Sequence, residues 1–386
     1  MSNPGVSGPL ADLRVLDLSS LLPGPYLTRI LADLGADVIK IESPWGDGAR
    51  RMPPVANGCG AAFATLNHDK RSVVIDLKKA EGVALFVAMA EHVQVVVESF
   101  RPGVLARLQL GYDVLSRHNP ALILCSISGF GQTGPLRDRA GHDLSYLARA
   151  GVLSLLGPPD GPPSVPGVQI ADLGGGALSA AVGLLAALRE SQRTGRGRHL
   201  DIAMTRSVMG FALMESTRSN TGDVAEPRGA GMLTGGLPCY RVYRTKDDRY
   251  MALAALEEKF FAAFCGCVGL PELASMGTAT GSAGASVVAR LETLFVSKTQ
   301  AQWIAALRDC DGCCEPVQTL EEAFADPGIA ARMGMVDVGI DVPTEPRALA
   351  PSLGQHGPEV FEELRLPPNL VAAAEAAGAL ACAPTP

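Results

Sequence analysis

A hydrogen on carbon beside a carbonyl is a weak acid, so its removal needs a placed base and something to hold the charge that develops on oxygen. Two segments carry residues of those types. In Ala140-Gly-His-Asp-Leu-Ser-Tyr146, His142 follows the glycine-rich turn Gly129 to Gly134 and precedes an apolar helix. That places an imidazole, which titrates near neutrality, at the mouth of a cleft. In Ile170-Ala-Asp-Leu-Gly-Gly-Gly176, Asp172 opens a helix. An Asp there ordinarily caps the free amides of the first turn. The three glycines behind it are poor helix formers and need another cause, and close approach of a ligand to bare backbone is one. The amides of Asp172, Leu173 and Gly174 are then candidates to hold an oxyanion. The other histidines have structural explanations: His68 in a polar turn, His92 at a helix end, His118 beside Asn119-Pro120, His199 opening a strand and His356 in a C-terminal loop.

These side chains need a scaffold, and its pattern starts at the N-terminus. Leu13 to Leu18 reads as a buried strand, Pro23-Gly-Pro25 as a break, Tyr26 to Leu34 as a helix closed by Gly35, and Ala36 to Ile41 as a second strand. This βαβ unit implies a parallel sheet. Further strands are expected at Ser72 to Leu77, Val93 to Glu98, Ala121 to Ser126 and His199 to Met204, with a helix over Glu81 to Ala90 and a small-residue central helix from Asp172 to Arg189. The strand ends lead into loops rich in Gly, Pro or Ser at Leu18 to Pro25, Glu98 to Gly103 and Ser126 to Gly131, where open α/β sheets bind ligands. No G-x-G-x-x-G turn follows the first strand, which disfavours a nicotinamide dehydrogenase. The expected layout is a large α/β domain over 1–222, a small α+β domain over 223–326, and a segment over 327–386 that returns to the large domain. Tyr240 to Ala255 reads as strand, turn and strand, Met335 to Val342 as a late strand, and Ala372 to Pro386 as a ragged tail.

The 386 residues are 47 % hydrophobic and 19 % charged, enough for a large core and against disorder. The net charge of −7, with no basic run, leaves no footprint for nucleic acid. No apolar run reads as long enough to span a membrane, and no targeting segment is visible, so the expected location is cytoplasmic. Nine cysteines without matched zinc spacing read as reduced structural thiols, with no metal site expected.

The chain resembles the family III CoA-transferase superfamily. The resemblance rests on Leu34-Gly-Ala-Asp-Val-Ile-Lys-Ile-Glu42, Asn67-His-Asp-Lys-Arg71, Glu98-Ser-Phe-Arg-Pro-Gly103, Gly129-Phe-Gly-Gln-Thr-Gly134, Thr194-Gly-Arg-Gly197 and Leu353-Gly-Gln-His356. Gly141-His-Asp-Leu-Ser-Tyr146 with Ile170-Ala-Asp-Leu-Gly-Gly-Gly176 points to its α-methylacyl-CoA racemase branch. It implies a Rossmann-like large domain, a smaller α+β domain and an interlocked homodimer. It implies proton transfer at C2 of a 2-methylacyl-CoA by His142 and Asp172, with Glu257 (alternatively Glu258) of one subunit pairing with the histidine of the other. The alternative is CoA transfer between carboxylic acids with Asp172 as nucleophile. Coenzyme A, part of the substrate with no separate cofactor, calls for cations. Arg101 is the first candidate, followed by Lys70, Arg71, Arg50 or Arg51, with Tyr146 as a further contact. Ser43 stands where many relatives carry an arginine, so one phosphate contact is expected to be lost or moved.

Overall fold

A computed structural model describes residues 8–56, 58–222, 226–330, 339–340 and 348–382. The chain divides into two units, one of Met1–Val152, Pro166–Ala212 and Arg332–Pro386, the other of Leu153–Val165 and Leu213–Ala331. These bounds depart from the sequence expectation: Leu153–Val165 goes with the second unit, which resumes at Leu213 instead of 223. Arg228 shows why, since its guanidinium donates to the carbonyls of Ser154 and Pro158, at 3.4 and 3.2 Å, and to that of Gly161. Bonds spanning some seventy residues leave no mark on local periodicity.

The first unit is built on six parallel strands: β1 (Arg14–Asp17), β2 (Asp37–Glu42), β3 (Arg71–Val74), β4 (Val95–Glu98), β5 (Ile123–Ser128) and β6 (His199–Ala203), in spatial order β3-β2-β1-β4-β5-β6. Strands buried on both faces are apolar along their whole length. Val95 to Val97 and Ile123 to Cys125 fit that rule and are inaccessible to solvent or nearly so. Helix α1 (Pro23–Asp33) starts at a proline pair whose missing N–H groups the first turn does not need, and it buries Leu27, Ile30 and Leu31. On one side of the sheet, Leu85, Phe86 and Met89 of helix Ala80–Ala90 meet Val360, Phe361, Leu364 and Ala374 from the C-terminal segment. Full burial of such side chains stabilises by roughly 1.5–3 kcal/mol each.

The C-terminal tail corrects one expectation. Pro368–Ala376 is helical, Ala374 and Ala379 are buried, and the Ala379 carbonyl accepts from Asp76 N–H at 2.7 Å. Alanine-rich sequence reads as low complexity, but alanine is the best helix former when an apolar surface receives it. The strand expected at Met335 to Val342 lies outside the described residues except for Gly339 and Ile340.

Helix α2 (Asp143–Arg149) follows β5, and a π-helical stretch, Ala171–Leu178, runs directly into α3 (Ser179–Thr194). Together the last two make a 24-residue helix that, by length and hydropathy, is long enough to cross a bilayer, contrary to the sequence expectation. Half of its most apolar window is buried inside the protein, against β5, β6, α1 and α4 (Met204–Met209).

The second unit has an antiparallel sheet of β7 (Tyr240–Arg244), β8 (Tyr250–Ala254) and β9 (Cys314–Pro316), the last of which pairs with β8. Its core joins Tyr243, Phe264 and Phe295, the last stacked 4.9 Å from Tyr243 and 5.8 Å from Phe264, to Trp303. Helix α5 (Glu258–Cys267) ends in a cysteine that forms a disulfide with Cys310, their Cα atoms 6.3 Å apart. This corrects the expectation of nine reduced thiols. The partners lie 43 residues apart, and only packing of the unit brings them together.

Candidate functional site

The sequence placed His142 and Asp172 on separate segments, and the structure ties those segments together through Asp143, the first residue of α2. His142 is the exposed N-cap of α2, with extended backbone. Next to it, Asp143 turns its carboxylate toward the start of the π-helical stretch, where Oδ1 accepts from Ala171 N–H at 2.6 Å and from Asp172 N–H at 2.9 Å. The Asp172 side chain is thereby held in the field of both neighbours. Burial raises its carboxyl, the Asp143 charge raises it further, and His142 pulls the other way, leaving it at about 6. A carboxyl there exchanges its proton near neutrality.

That bond also overturns part of the oxyanion expectation. The Asp172 amide is committed to Asp143, and the Leu173 amide donates to the Gln169 carbonyl at 2.9 Å. Gly174 lies beneath the Phe211 ring, which an added Cβ would meet at 2.8 Å. Its neighbours have a packing cause as well. A Cβ on Gly175 would fall 2.5 Å from Val208 Cγ1, and one on Gly176 would fall 3.0 Å from Pro23 Cβ. The glycines therefore let α1 and α4 approach the central helix, and a ligand is not needed to account for them. The wide π turn is a form frequent at functional sites.

Tyr146 is buried, one turn along α2. Its hydroxyl donates to Gly141 O at 2.5 Å, and its ring meets Phe130 edge-on at 5.4 Å. Burial pushes the phenol up to about 12, with Asp172 adding to the shift and Arg101 opposing it. With its hydroxyl so engaged, Tyr146 is a support of the His142 turn, where the sequence reading had it as a coenzyme contact. Gly129 and Gly141 make room for the ring, since a Cβ at either would lie 2.2 or 2.6 Å from it.

The expected cations separate into two groups. Lys70 is fully buried, donating to Asp17 Oδ2, Thr28 Oγ1, Asn67 Oδ1 and Pro25 O. Arg71 is locked between Asp37 and Glu363 at 2.6 and 2.8 Å, beside the amino end of β2. Arg50 binds Glu42 through two donors, lies 3.9 Å over the Phe63 ring and donates to Pro351 O. Arg51 donates to Trp45 O at 2.8 Å. The first three serve the fold and are corrected as ligand contacts: sequence shows a cation but not whether a carboxylate already holds it. Arg101 is exposed, and its guanidinium makes no hydrogen bond or ion pair among the described residues; only its backbone carbonyl is engaged, accepting from Val104 N–H at 3.1 Å.

Two further arginines escaped the sequence reading. A Cβ on Gly103 would lie 3.1 Å from Arg137 Nη2 and 3.6 Å from Arg107 Nη1, so both guanidinium groups surround the loop that carries Arg101. Arg107 follows Arg101 by six residues and was legible as a second cation of that loop; Arg137 was not. The loop borders, through Phe100 and Val104, a cavity of about 370 Å³ at the carboxyl ends of β1 to β4, which Leu18, Lys40, Ser43 and Lys78 also line. Lys40 is neutralised there by Asp47 at 3.0 Å.

Glu257 and Glu258 belong to the second unit. Glu257 is the exposed N-cap of α5, its carbonyl accepting from Phe260 and Phe261 N–H, and Glu258 opens the helix.

The profile of CoA-transferase family III matches residues 10–357. The chain belongs to that family. Alpha-methylacyl-CoA racemase of Mus musculus is 34 % identical over 370 residues, covering 92 % of this chain and 93 % of the relative. Succinyl-CoA–D-citramalate CoA-transferase of Chloroflexus aurantiacus is 35 % identical over 392 residues, covering 94 % and 96 %. Among solved structures, a CAIB/BAIF family protein from Brucella suis superposes with a TM-score of 0.79 at 31 % identity, over 92 % of this chain and 99 % of that one. The family III chain is thus an enzyme of a superfamily whose members similar to it include both racemases and CoA-transferases.

Proposed function

We propose that this family III enzyme interconverts the two configurations at C2 of 2-methylacyl-CoA thioesters. The observation that carries this reading is a proton-exchanging Asp172 carboxyl that feels the charge of His142 from another segment, the two segments being bonded together through Asp143. Inversion needs one group on each face of a planar enolate. In one direction, neutral His142 takes the C2 proton, the electron pair moves into the thioester to give the enolate, and protonated Asp172 returns a proton from the opposite face. The reverse uses the same groups with their protonation exchanged. A carboxyl raised to about 6 gives up and regains its proton near neutrality. Arg101, with Arg107 and Arg137, would meet the phosphates, and the cavity at the strand ends would receive the nucleotide. Glu257 of the partner subunit in an interlocked homodimer would orient the imidazole.

The test is incorporation of solvent deuterium at C2 of a panel of 2-methylacyl-CoA esters. Exchange that requires both His142 and Asp172 is expected. The transferase relative at 35 % identity favours a second reading, in which ionised Asp172 attacks the thioester carbonyl, expels the CoA thiolate and forms a mixed anhydride. A trapped adduct on Asp172 and CoA exchange between two acids, without C2 labelling, would replace the racemase reading with that one. Sedimentation is expected to show that activity belongs to the dimer; an active monomer would remove Glu257 from the site.

A further inference from the structure

We propose that Asp143 is a positioning residue for Asp172: its carboxylate fastens the start of the Asp172 helix to the His142 turn and sets a second negative charge beside the Asp172 carboxyl. This assignment rests on the reading of Asp172 as an acid/base group. The geometry is specific, because one oxygen, Asp143 Oδ1, takes both Ala171 N–H and Asp172 N–H, bridging 28 and 29 residues of sequence. First-turn amides of a helix have no partner within it, and here the partner comes from a different element. His142 and Asp143 are consecutive, so the bond that fixes the Asp172 backbone also fixes the distance to the imidazole. Any rotation of α2 would move the base and the acid together.

The same carboxylate acts through its charge. Two neighbouring carboxyls cannot both ionise freely, so the partly buried one retains its proton to higher pH. Asp143 pushes Asp172 upward and His142 pushes it downward, while Tyr146, from the same helix, feels both aspartates and Arg101. Several charged groups on the other elements packed here are paired among themselves. Arg29 pairs with Asp33 on α1, Glu190 of α3 with Arg198, and Arg206 of α4 with Asp201. Asp143 is thus the one like charge that bears on Asp172 among the described residues.

Asp143→Asn separates the two roles, since the amide oxygen still accepts from both N–H groups but the charge is gone. With aspartate carboxyls ¹³C-labelled in the full-length enzyme, and Asp172 assigned by its loss in D172N, the Asp172 titration is expected to fall by about one pH unit in D143N at unchanged melting temperature. The pH profile of kcat for C2 exchange should shift acidward by the same amount, with KM for the thioester unmoved. A folded D143N whose Asp172 titrates where the wild type does overturns the proposal. If D143N does not fold, Asp143→Ser decides by the same Asp172 titration, since it keeps an oxygen acceptor and removes the charge, and an Asp172 carboxyl that titrates there as in the wild type also overturns the coupling. Wild-type enzyme that labels no 2-methylacyl-CoA at C2 would defeat the racemase reading while the titration shift still stands or falls by itself.

Discussion

Two clusters of charge in the first unit use the same residue types to opposite ends. Beneath the strand ends, the buried Asp17, Lys40, Glu42, Asp47 and Lys70, with the half-buried Arg50, form a lattice in which each charge faces its opposite. Burial alone would raise the Asp17 carboxyl, but Lys70, Lys40 and the hydroxyls of Ser19 and Thr28 outweigh it and hold the group at about 2. Around Asp172 the pairing is frustrated: a carboxylate and an imidazole act on a half-buried carboxyl, which ends at about 6. The first cluster holds one protonation state and one geometry, whereas the second keeps a proton exchangeable. Opposite charges in low dielectric make structure, and like charges beside one another make a group that titrates where chemistry is done.

The sharpest way to break this contrast is to remove a member from each side. His142→Ala or Asp172→Ala is expected to lower the rate of C2 exchange by about 10²–10⁴ with the fold retained, read by deuterium uptake and circular dichroism. Lys70→Met leaves Asp17 ionised and unpaired in the interior, so it should lower unfolding free energy by about 3–5 kcal/mol in a denaturant titration, far more than any substitution at Asp172. Gly175→Ala drives a methyl against Val208 and the Met204 carbonyl, and a loss of about 1–3 kcal/mol is expected, with the activity loss following the displaced helix start.

The smallest effect is the most diagnostic, because its sign differs between the clusters. Asp172 has a folded-state carboxyl raised above its unfolded value of 3.8, so ionisation penalises the fold; the penalty grows as pH rises from about 4 and is complete above 6. Asp172→Asn should therefore stabilise at pH 8, by about 1 kcal/mol once solvent screening is allowed for, and be neutral at pH 4. Asp17 has a depressed carboxyl, so its contribution is present above pH 3.8 and lost as pH falls through 2; Asp17→Asn should destabilise at pH 8. Melting curves of both variants across that range would show opposite trends, and parallel trends would erase the distinction between the clusters.

Much of the scaffold is legible in the residue pattern. The strands expected at Leu13 to Leu18, Ala36 to Ile41, Ser72 to Leu77, Val93 to Glu98, Ala121 to Ser126 and His199 to Met204 all appear, shifted at their ends by a few residues; the central ones are legible because parallel strands buried on both faces are rich in Val, Ile and Leu, whereas the edge strand His199–Ala203 is only partly buried. The helix at Asp172 was legible from its small residues, although its π geometry and the reason for its glycines were not. Cations were the weakest part of the reading. Lys70, Arg71 and Arg50 looked like phosphate ligands and are instead held by Asp17, Asp37, Glu363 and Glu42, three of which lie 34 residues or more away.

Sequence alone determined the chemical types available, the order of the strands along the chain and the two segments that carry His142 and Asp172, since these follow from residue identity and local periodicity. Tertiary structure decided which charges are spent on one another, that Cys267 meets Cys310, and that Asp143 joins the histidine turn to the aspartate helix. The physical reason is that electrostatic and hydrogen-bond energies depend on distance through space and on exclusion of water, and neither quantity is written in spacing along a chain.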